Sequence, residues 1–262
     1  MVLSSLRFFM VVFSRQSALS GLVEVTSHSA TPLRSDDPQR QQWRVLRFNE
    51  TSRQSVSRVT EVAGGGGWEA VPDCLAQEYL KTMVCVGTAL LHASGVRFGQ
   101  TRLLCLGAGG GSLPLFLSHH FPGAEVDAVE HDPTVAEAAH AAMGLPEQIP
   151  NLTFHVCDAV DFLRKGGSGY DAAFLDMFGG DDCVPSALAS PRFAALLSQA
   201  LKPGRGVVVM NLHGAAPGSL ISELHAALGG PRQACSLELG CKLQPRNRTL
   251  AWARGWLPPD DA

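Results

Sequence analysis

The sequence predicts an α/β fold built on a parallel, Rossmann-like sheet with an antiparallel C-terminal hairpin. A small N-terminal β-hairpin extension precedes this sheet. From residue 102 onward, short apolar runs alternate with helix-like segments, which is typical of β–α–β units whose sheet is buried on both faces. A glycine turn follows the first of these runs. The last two strand-like runs lie too close together for a crossover helix, so they are expected to pair antiparallel at the sheet edge.

The first 40 residues are expected to form a flexible leader or a targeting segment. They contain no acidic residue before Glu24 but two early arginines and several serines, which fits an organellar transit peptide. The polar, proline-containing stretch 28–42 is typical of a linker. The expected location is the cytoplasm. If the leader is a transit peptide, the chloroplast or the mitochondrion is the alternative.

Residues 41–95 are predicted to form an N-terminal β-hairpin and a helix. The runs at 43–49 and 54–62 are rich in alternating or β-branched residues and flank a turn. A glycine-rich loop follows at 63–73. Apolar residues then recur near helical spacing from Cys74 to Ala93, which predicts a buried helix.

Residues 96–262 are predicted to form the main domain. Its strand-like runs are RLLCL, EVDAVE, LTFHVCD, YDAAFLD and GVVVMNL, followed by the closing pair QACSLELGCKL and RTLAWARGW. Helices are predicted at Leu113 to His120, Pro133 to Met143, Ala159 to Lys165, Pro191 to Leu201 and Gly218 to Leu228.

Composition excludes several classes of protein. The chain has 262 residues, of which 45% are hydrophobic and 17% charged, so it has enough apolar material for a large core. The net charge is −3 and no basic run is present, which disfavours a nucleic-acid-binding role. The longest apolar stretch of the leader is too short to span a bilayer. The seven cysteines form no C-x-x-C pair, so no metal site is expected and the thiols are read as small core residues.

The glycine turn is the first candidate binding element. It comes directly after a predicted buried strand and just before a helix, in the string LGAGGGSLP. In an open parallel sheet, ligands bind beyond the carboxyl ends of the strands. Residues without Cβ atoms would let a ligand approach the backbone, and N–H groups at the helix start would face it. Plain turn formation is the alternative explanation for these glycines.

Three acids end successive predicted strands and would line the same sheet edge. Glu130 lies close to the spacing after Gly107 at which an acid accepts hydrogen bonds from ribose hydroxyls. Asp158 is predicted near an adenine amine, although it also precedes a helix and could simply cap it. Asp176 is predicted near the reacting end of the ligand. Together the acids indicate a nucleoside pocket.

The nucleoside could belong to NAD or to S-adenosylmethionine. The dinucleotide fingerprint requires a third glycine at the position of Ser112. The antiparallel hairpin at the C-terminus also departs from a plain dinucleotide-binding fold. Both observations favour S-adenosylmethionine as the cofactor.

The chain resembles the spermidine synthase-like branch of class I methyltransferases between about residues 43 and 212. The strings LGAGGGSLP, VEHDP, CDAVDFL and YDAAFLD are similar to the cofactor motifs of this family in order. VLRFNETSRQS and AQEYLKTM are similar to its N-terminal hairpin and its Y-Q-E-M segment. The resemblance implies a class I methyltransferase sheet that binds S-adenosylmethionine. The cofactor-binding residues it implies, together with the turn and the strand ends, are Gln54, Gln77, Gly107, Ala108, Gly109, Glu130, His131, Asp158 and Ala159.

Departures from the aminopropyl transferases of this branch favour a different reaction. Those enzymes carry an acid where this chain has Gly110, a tyrosine where it has Ala76, and a second acid where it has Gly179. A cationic polyamine needs carboxylates at both ends, and most of that set is missing. Asp181 and Asp182 are near this position but out of register.

The string LGAGGGSLPLFL, followed by HHFPGAEVDAVEHDP, is similar to the C-terminal domain of elongation factor 1-alpha lysine and N-terminal methyltransferases, the methyltransferase-like 13 family. This resemblance implies methyl transfer to an amine of a protein substrate. Asp176 is the expected catalytic residue, with Asn211 as a weaker candidate for contact with the acceptor. Polyamine aminopropyl transfer and a non-catalytic, cofactor-binding interaction protein remain the alternatives. No nucleic-acid or membrane partner is expected, and a homodimer is left open.

Overall fold

The computed structural model describes residues 9–31, 40–49, 54–179, 183–213, 218–229, 234–240 and 247–254. These residues form two sheets, one of five strands near the N-terminus and one of seven strands that carries the candidate site. The first sheet has the order β1-β2-β3-β4-β5, and all its neighbouring strands are antiparallel. Its strands are Met10–Ser17, Gly21–Ser29, Gln41–Arg47, Ser55–Glu61 and Trp68–Ala70.

The seven-stranded sheet confirms the predicted fold class. Its order is β11-β12-β10-β9-β6-β7-β8, and the five strands from β10 to β8 in this order are parallel. The last two strands form an antiparallel hairpin that extends the edge beside β10. The strands are β6 Arg102–Leu106, β7 Glu125–Glu130, β8 Leu152–Val156, β9 Ala172–Leu175, β10 Val207–His213, β11 Ala234–Gly240 and β12 Asn247–Arg254.

Helices cover both faces of this sheet, as its parallel strands require. They are α1 Glu78–Ala93, α2 Ser112–His120, α3 Pro133–Ala141, α4 Ala159–Arg164, α5 Pro191–Ala200 and α6 Gly218–Ala227. Alternation along β6 divides the core. Leu103 and Cys105 pack with residues of α1 on one face, while Leu104 and Leu106 pack with residues of α5 and α6 on the other. In the part of the chain that the structure describes, no helix is long and apolar enough to cross a membrane.

The expectation of a flexible leader over residues 1–40 is wrong for residues 10–29. These residues form β1 and β2, and they turn the expected N-terminal hairpin into a five-stranded sheet. Val23 and Val25 are fully buried and belong to the same apolar cluster as Val135 and Ala138 of α3. The segment is ordered because this apolar face covers a helix of the main domain. Residues 32–39 of the expected linker lie outside the described residues.

Two other predicted boundaries differ from the structure. The predicted helix from Cys74 begins only at Glu78, after an extended Gln77, because Val71 to Cys74 form a turn closed by the Cys74 N–H and the Val71 carbonyl. The predicted loop at 63–73 contains the short strand β5. The division of the chain into segments 41–95 and 96–262 stays a prediction.

Candidate functional site

A cavity of about 690 Å³ lies at the carboxyl ends of the parallel strands. Its size is in the range of small-molecule sites. All ten residues predicted from the sequence line it: Gln54, Gln77, Gly107, Ala108, Gly109, Glu130, His131, Asp158, Ala159 and Asp176. Asn211, the weaker candidate, lines the cavity as well. The tertiary structure therefore brings the complete predicted set together.

The glycine turn needs its glycines mainly because protein packs against it. Gly107 has φ +84°, and a Cβ there would lie 2.2 Å from the Asp176 carbonyl oxygen. A Cβ at Gly110 would lie 2.8 Å from the Met143 Cε and 2.9 Å from the Ser55 Cβ. The turn therefore has no room for an acidic side chain at Gly110, where the aminopropyl transferases of the resembling family carry one.

The backbone N–H groups of the turn are also engaged within the protein. The N–H of Gly109 donates to Glu130 Oε2 at 2.8 Å, and the N–H of Gly110 donates to Ser55 Oγ at 2.9 Å. The N–H of Gly111 donates to the Ala108 carbonyl at 2.9 Å. These three groups position the turn and Glu130. Ser112 and Leu113 at the start of α2 line the cavity, and the expectation that N–H groups at the helix start face a ligand stays a prediction.

Glu130 ends β7 and is fixed through both carboxylate oxygens. Oε2 accepts from Gly109, and Oε1 accepts from the Asp132 N–H at 3.0 Å. Burial raises the pKa of Glu130, although these two N–H groups oppose the shift. Each oxygen keeps a second lone pair, so the carboxylate can still accept hydrogen bonds from a vicinal diol. His131 follows it at the cavity wall and is exposed.

Asp158 caps α4, which is the alternative role considered for it. Its Oδ1 accepts from the Asp161 N–H at 3.0 Å. Capping of this kind uses one oxygen and leaves the other for a ligand. Ala159 begins the helix beside it, and both residues line the cavity.

Asp176 lies at the centre of a hydrogen-bond network at the other end of the predicted set. Its Oδ2 accepts from the Tyr79 hydroxyl at 2.9 Å, and its Oδ1 accepts from Asn211 Nδ2 at 2.8 Å. Asn247 Nδ2 donates to Asn211 Oδ1 at 3.0 Å and so orients the Asn211 amide. Both carboxylate oxygens of Asp176 are therefore held in fixed positions.

The same surroundings shift the proton affinities of this network. Burial raises the pKa of Asp176 to about 6, while the hydrogen bonds from Asn211 and Tyr79 act in the opposite direction. Burial and the neighbouring Asp176 raise the pKa of Tyr79 well above its usual value. The phenol therefore stays a donor, and the carboxylate changes its charge close to neutral pH.

Sequence reasoning missed two members of this network. Tyr79 is one of the residues whose helical spacing predicts the buried helix between Cys74 and Ala93, and its position two residues after Gln77 is the signal that could have singled it out. Asn247 is part of an N-x-T sequence and carried no chemical signal. It is 8% exposed and belongs to β12.

The turn between β1 and β2 also forms part of the cavity wall. Leu19 and Ser20 line the cavity beside Glu130 and Asp132. Ser17 Oγ donates to Asp132 Oδ2 and accepts from the N–H groups of Leu19 at 3.0 Å and Ser20 at 3.2 Å. One hydroxyl thus shapes the turn and attaches it to the segment that follows β7. These residues were missed because they were assigned to the leader.

The arrangement has two chemically different ends. Carboxylates at Glu130 and Asp158 suit the hydroxyl and amine groups of a nucleoside. Asp176, held by Tyr79 and Asn211, suits a group that must be oriented and must lose a proton. Gln54 and Gln77 add amide groups to the cavity lining.

Sequence comparison finds two kinds of relatives. The chain is 30% identical over 178 residues to a Homo sapiens protein named eEF1A lysine and N-terminal methyltransferase. The alignment covers 63% of this chain and 25% of that protein. It is 33% identical over 148 residues to a polyamine aminopropyltransferase of Vibrio vulnificus. That alignment covers 55% of this chain and 48% of the relative. The chain thus spans about a quarter of the length of the methyltransferase relative. No protein-family model matches the chain.

Structure comparison also finds proteins of both kinds. The crystal structure of human methyltransferase-like protein 13 in complex with SAH aligns with a TM-score of 0.59 at 28% identity, over 71% of this chain and 86% of that chain. A probable spermidine synthase from Corynebacterium glutamicum aligns with a TM-score of 0.66 at 16% identity, over 97% of this chain and 84% of that chain. The second match shows the fold alone. The fold is that of the class I S-adenosylmethionine-dependent methyltransferases in their spermidine synthase-like form, which confirms the resemblance found in the sequence.

Proposed function

We propose that the chain is an S-adenosylmethionine-dependent methyltransferase and that its acceptor is an amine of a protein. The observation that carries this proposal is Asp176, which Tyr79 and Asn211 hold in the same cavity as Glu130 and the glycine turn. The human relative is named for methylation of a lysine and an N-terminus. Both are amines, which supports the acceptor class proposed here.

The residues of the nucleoside end fit this cofactor. Glu130 presents one free lone pair on each oxygen, as a ribose diol needs, and Asp158 keeps one oxygen for the adenine amine. Ala108, His131 and Ala159 line the cavity as well. We assign Gln54 and Gln77 to the methionine part of the cofactor. When bound, S-adenosylmethionine supplies a methyl group on a positively charged sulfur, which is already a good leaving group.

The protein contributes orientation and proton removal. An amine attacks only in its neutral form, whereas a lysine amine has an ordinary pKa near 10.4. The Asp176 carboxylate accepts a hydrogen bond from the amine and so directs the nitrogen lone pair away from itself. Because the pKa of Asp176 is raised to about 6, the carboxylate is mostly ionised at pH 7 and is a stronger base than an ordinary aspartate toward the proton that the amine must lose. Positioning of this kind can lower a barrier by roughly 7–11 kcal/mol.

The segment from Met177 to Pro185 is the proposed wall of the acceptor channel. Met177, Phe178, Gly179 and Pro185 line the cavity. Residues 180–182, which include the two out-of-register acids Asp181 and Asp182, lie outside the described residues. The described lining residues of this segment carry no charge, and uncharged lining suits a single amine on a protein better than a polyamine.

Aminopropyl transfer is the second candidate, because a polyamine aminopropyltransferase is among the relatives. Two observations weigh against it. The tightly packed Gly110 has no space for the acid found in those enzymes, and Gly179 replaces a second acid. A diamine would therefore lack much of the negative charge that would bind it.

Three measurements on the full chain distinguish these functions. Calorimetry should show binding of S-adenosylmethionine and no comparable binding of NAD. Incubation of a lysate with the tritiated methyl cofactor should label a protein band. Putrescine with the decarboxylated cofactor should yield no spermidine. Tight binding of NAD alone would refute the cofactor, and spermidine formation would replace methyl transfer by aminopropyl transfer. Cofactor binding without any labelled protein would favour a non-catalytic binding protein.

A further inference from the structure

Three side chains that do not line the cavity converge on one point of the surface. They are Asp73, His119 and His120. Asp73 Oδ1 lies 3.5 Å from His119 Nε2 and 3.1 Å from His120 Nε2. The three ligand-type atoms all lie within 4.8 Å of one another. They come from two elements that are far apart in the sequence.

Each of these elements is held in place by its own local structure. Asp73 occupies the turn Val71–Cys74, which Pro72 favours and which the Cys74 N–H closes on the Val71 carbonyl. The Val71 N–H is itself bonded to the Arg58 carbonyl of β4 at 2.7 Å. The two histidines form the last turn of α2. The ring of Phe116 packs against that of His120 with a centroid distance of 4.2 Å.

The donor set is typical of a zinc-class ion. Zn²⁺ binds imidazole nitrogen and carboxylate oxygen at about 2.0–2.2 Å in tetrahedral geometry, so two ligand atoms lie about 3.3 Å apart. The two distances to Asp73 Oδ1 bracket that value. The carboxyl end of α2 also carries a partial negative charge that favours a cation. At an exposed site, the contact of two histidines with one carboxylate oxygen contributes little by itself, whereas a metal would use all three groups.

We propose that Asp73, His119 and His120 bind one divalent metal ion of the zinc class, with water completing its coordination. The expectation that the chain has no metal site rested on the spacing of the cysteines. Sequence spacing gave no signal for a site made of Asp73, His119 and His120. The ion joins the turn after β5 to the last turn of α2. The Val71–Cys74 turn precedes α1 by a few residues, and Gln77 between them lines the cavity. The site itself does not depend on the proposed methyl transfer.

The test is a calorimetric titration of the dialysed full chain with ZnCl₂, followed by a Co²⁺ titration monitored by absorption. The wild type should bind one equivalent, with Co²⁺ bands of tetrahedral intensity. Both His120→Ala and Asp73→Asn should lose this equivalent. His92→Ala is the matched control, because His92 is also an exposed histidine in the last turn of a helix, and it should bind like the wild type.

A stability measurement keeps the test independent of folding defects in the variants. Zn²⁺ should raise the melting temperature of the wild type and of His92→Ala, and leave that of folded His120→Ala unchanged. Absence of a saturable equivalent in the wild type would refute the site. Equal binding by the wild type and by the two ligand variants would place the metal elsewhere and would refute it as well.

Discussion

The two ends of the cavity are built in different ways. The nucleoside end comes from consecutive β–α units, with the glycine turn, Glu130 and Asp158 at successive strand ends. The acceptor end gathers Tyr79 from α1, Asp176 from the end of β9, Asn211 from β10 and Asn247 from β12. The first end is therefore local in the chain, and the second exists only when distant strands pair.

The register of the sheet explains how the acceptor end forms. Met210 pairs with Leu175 in the parallel β9–β10 ladder, which brings the next residues, Asn211 and Asp176, side by side. Asn211 pairs with Thr249 across the antiparallel β10–β12 ladder, so Asn247 is its diagonal neighbour on the same face. A register shift by one residue would move Asn247 to the other face. We therefore expect the two ends to respond separately to substitution.

Asp176→Asn should produce the largest effect and should separate the ends. Removal of the carboxylate is expected to lower the methyl-transfer rate by about 10²–10⁴-fold, the usual contribution of a general base. Binding of the cofactor, measured by calorimetry, should change little. Asp161→Asn is the control, because the Asp161 side chain is half-exposed and its contact with Asp158 uses the backbone N–H. A parallel loss of cofactor binding in Asp176→Asn would show that the ends do not act separately.

Glu130→Gln should weaken cofactor binding at the nucleoside end, whereas Asp176→Asn lowers the rate. The amide replaces one acceptor by a donor, so it faces the N–H of Gly109 or Asp132 with the wrong polarity. Hydrogen bonds to a charged group contribute about 1.5–3 kcal/mol, so cofactor affinity should fall roughly 10–100-fold. Glu125→Gln, at the exposed start of the same strand, should bind like the wild type. Unchanged affinity in Glu130→Gln would remove this carboxylate from the binding site.

Tyr79→Phe tests the network through the pH profile. The ionised form of Asp176 should be the active one, so the rate should rise with pH through about 6 in the wild type. The Tyr79 hydroxyl stabilises this ionised form, and its removal should raise the pKa of Asp176 by about one unit. The acidic limb of the profile should therefore move to higher pH while the plateau rate changes less. A limb that stays in place would mean that Tyr79 has a packing role only.

Ser17→Ala should give the smallest effect and tests the wall from the N-terminal sheet. The substitution removes the hydrogen bond to Asp132 and the acceptor for the N–H groups of Leu19 and Ser20. Loss of such contacts costs about 1 kcal/mol, so a few-fold weaker binding of the cofactor is expected. Ser14→Ala, on the same strand, is the control. An identical loss in both variants would indicate general destabilisation of the sheet.

Much of the fold follows from the sequence, and the exceptions have specific physical reasons. The parallel strands and their helices carry local apolar periodicity, and the structure places them within a few residues of the predictions. The apolar face of β2 is just as regular, with Val23 and Val25 alternating, but the serines and the lack of acids before Glu24 resemble a leader. Its order depends on a helix more than a hundred residues away, which local patterns cannot reveal.

The sequence by itself determined the parallel sheet, the glycine turn and the acids at the strand ends, because each depends on spacing along one β–α unit. Only the tertiary structure decided what surrounds Asp176, why Gly110 must lack a side chain, and that Asp73 meets His119 and His120. These features depend on strand order, register and the packing of distant elements. Side chains without a sequence pattern of their own, such as Asn247, acquire a role only from the neighbours that folding gives them.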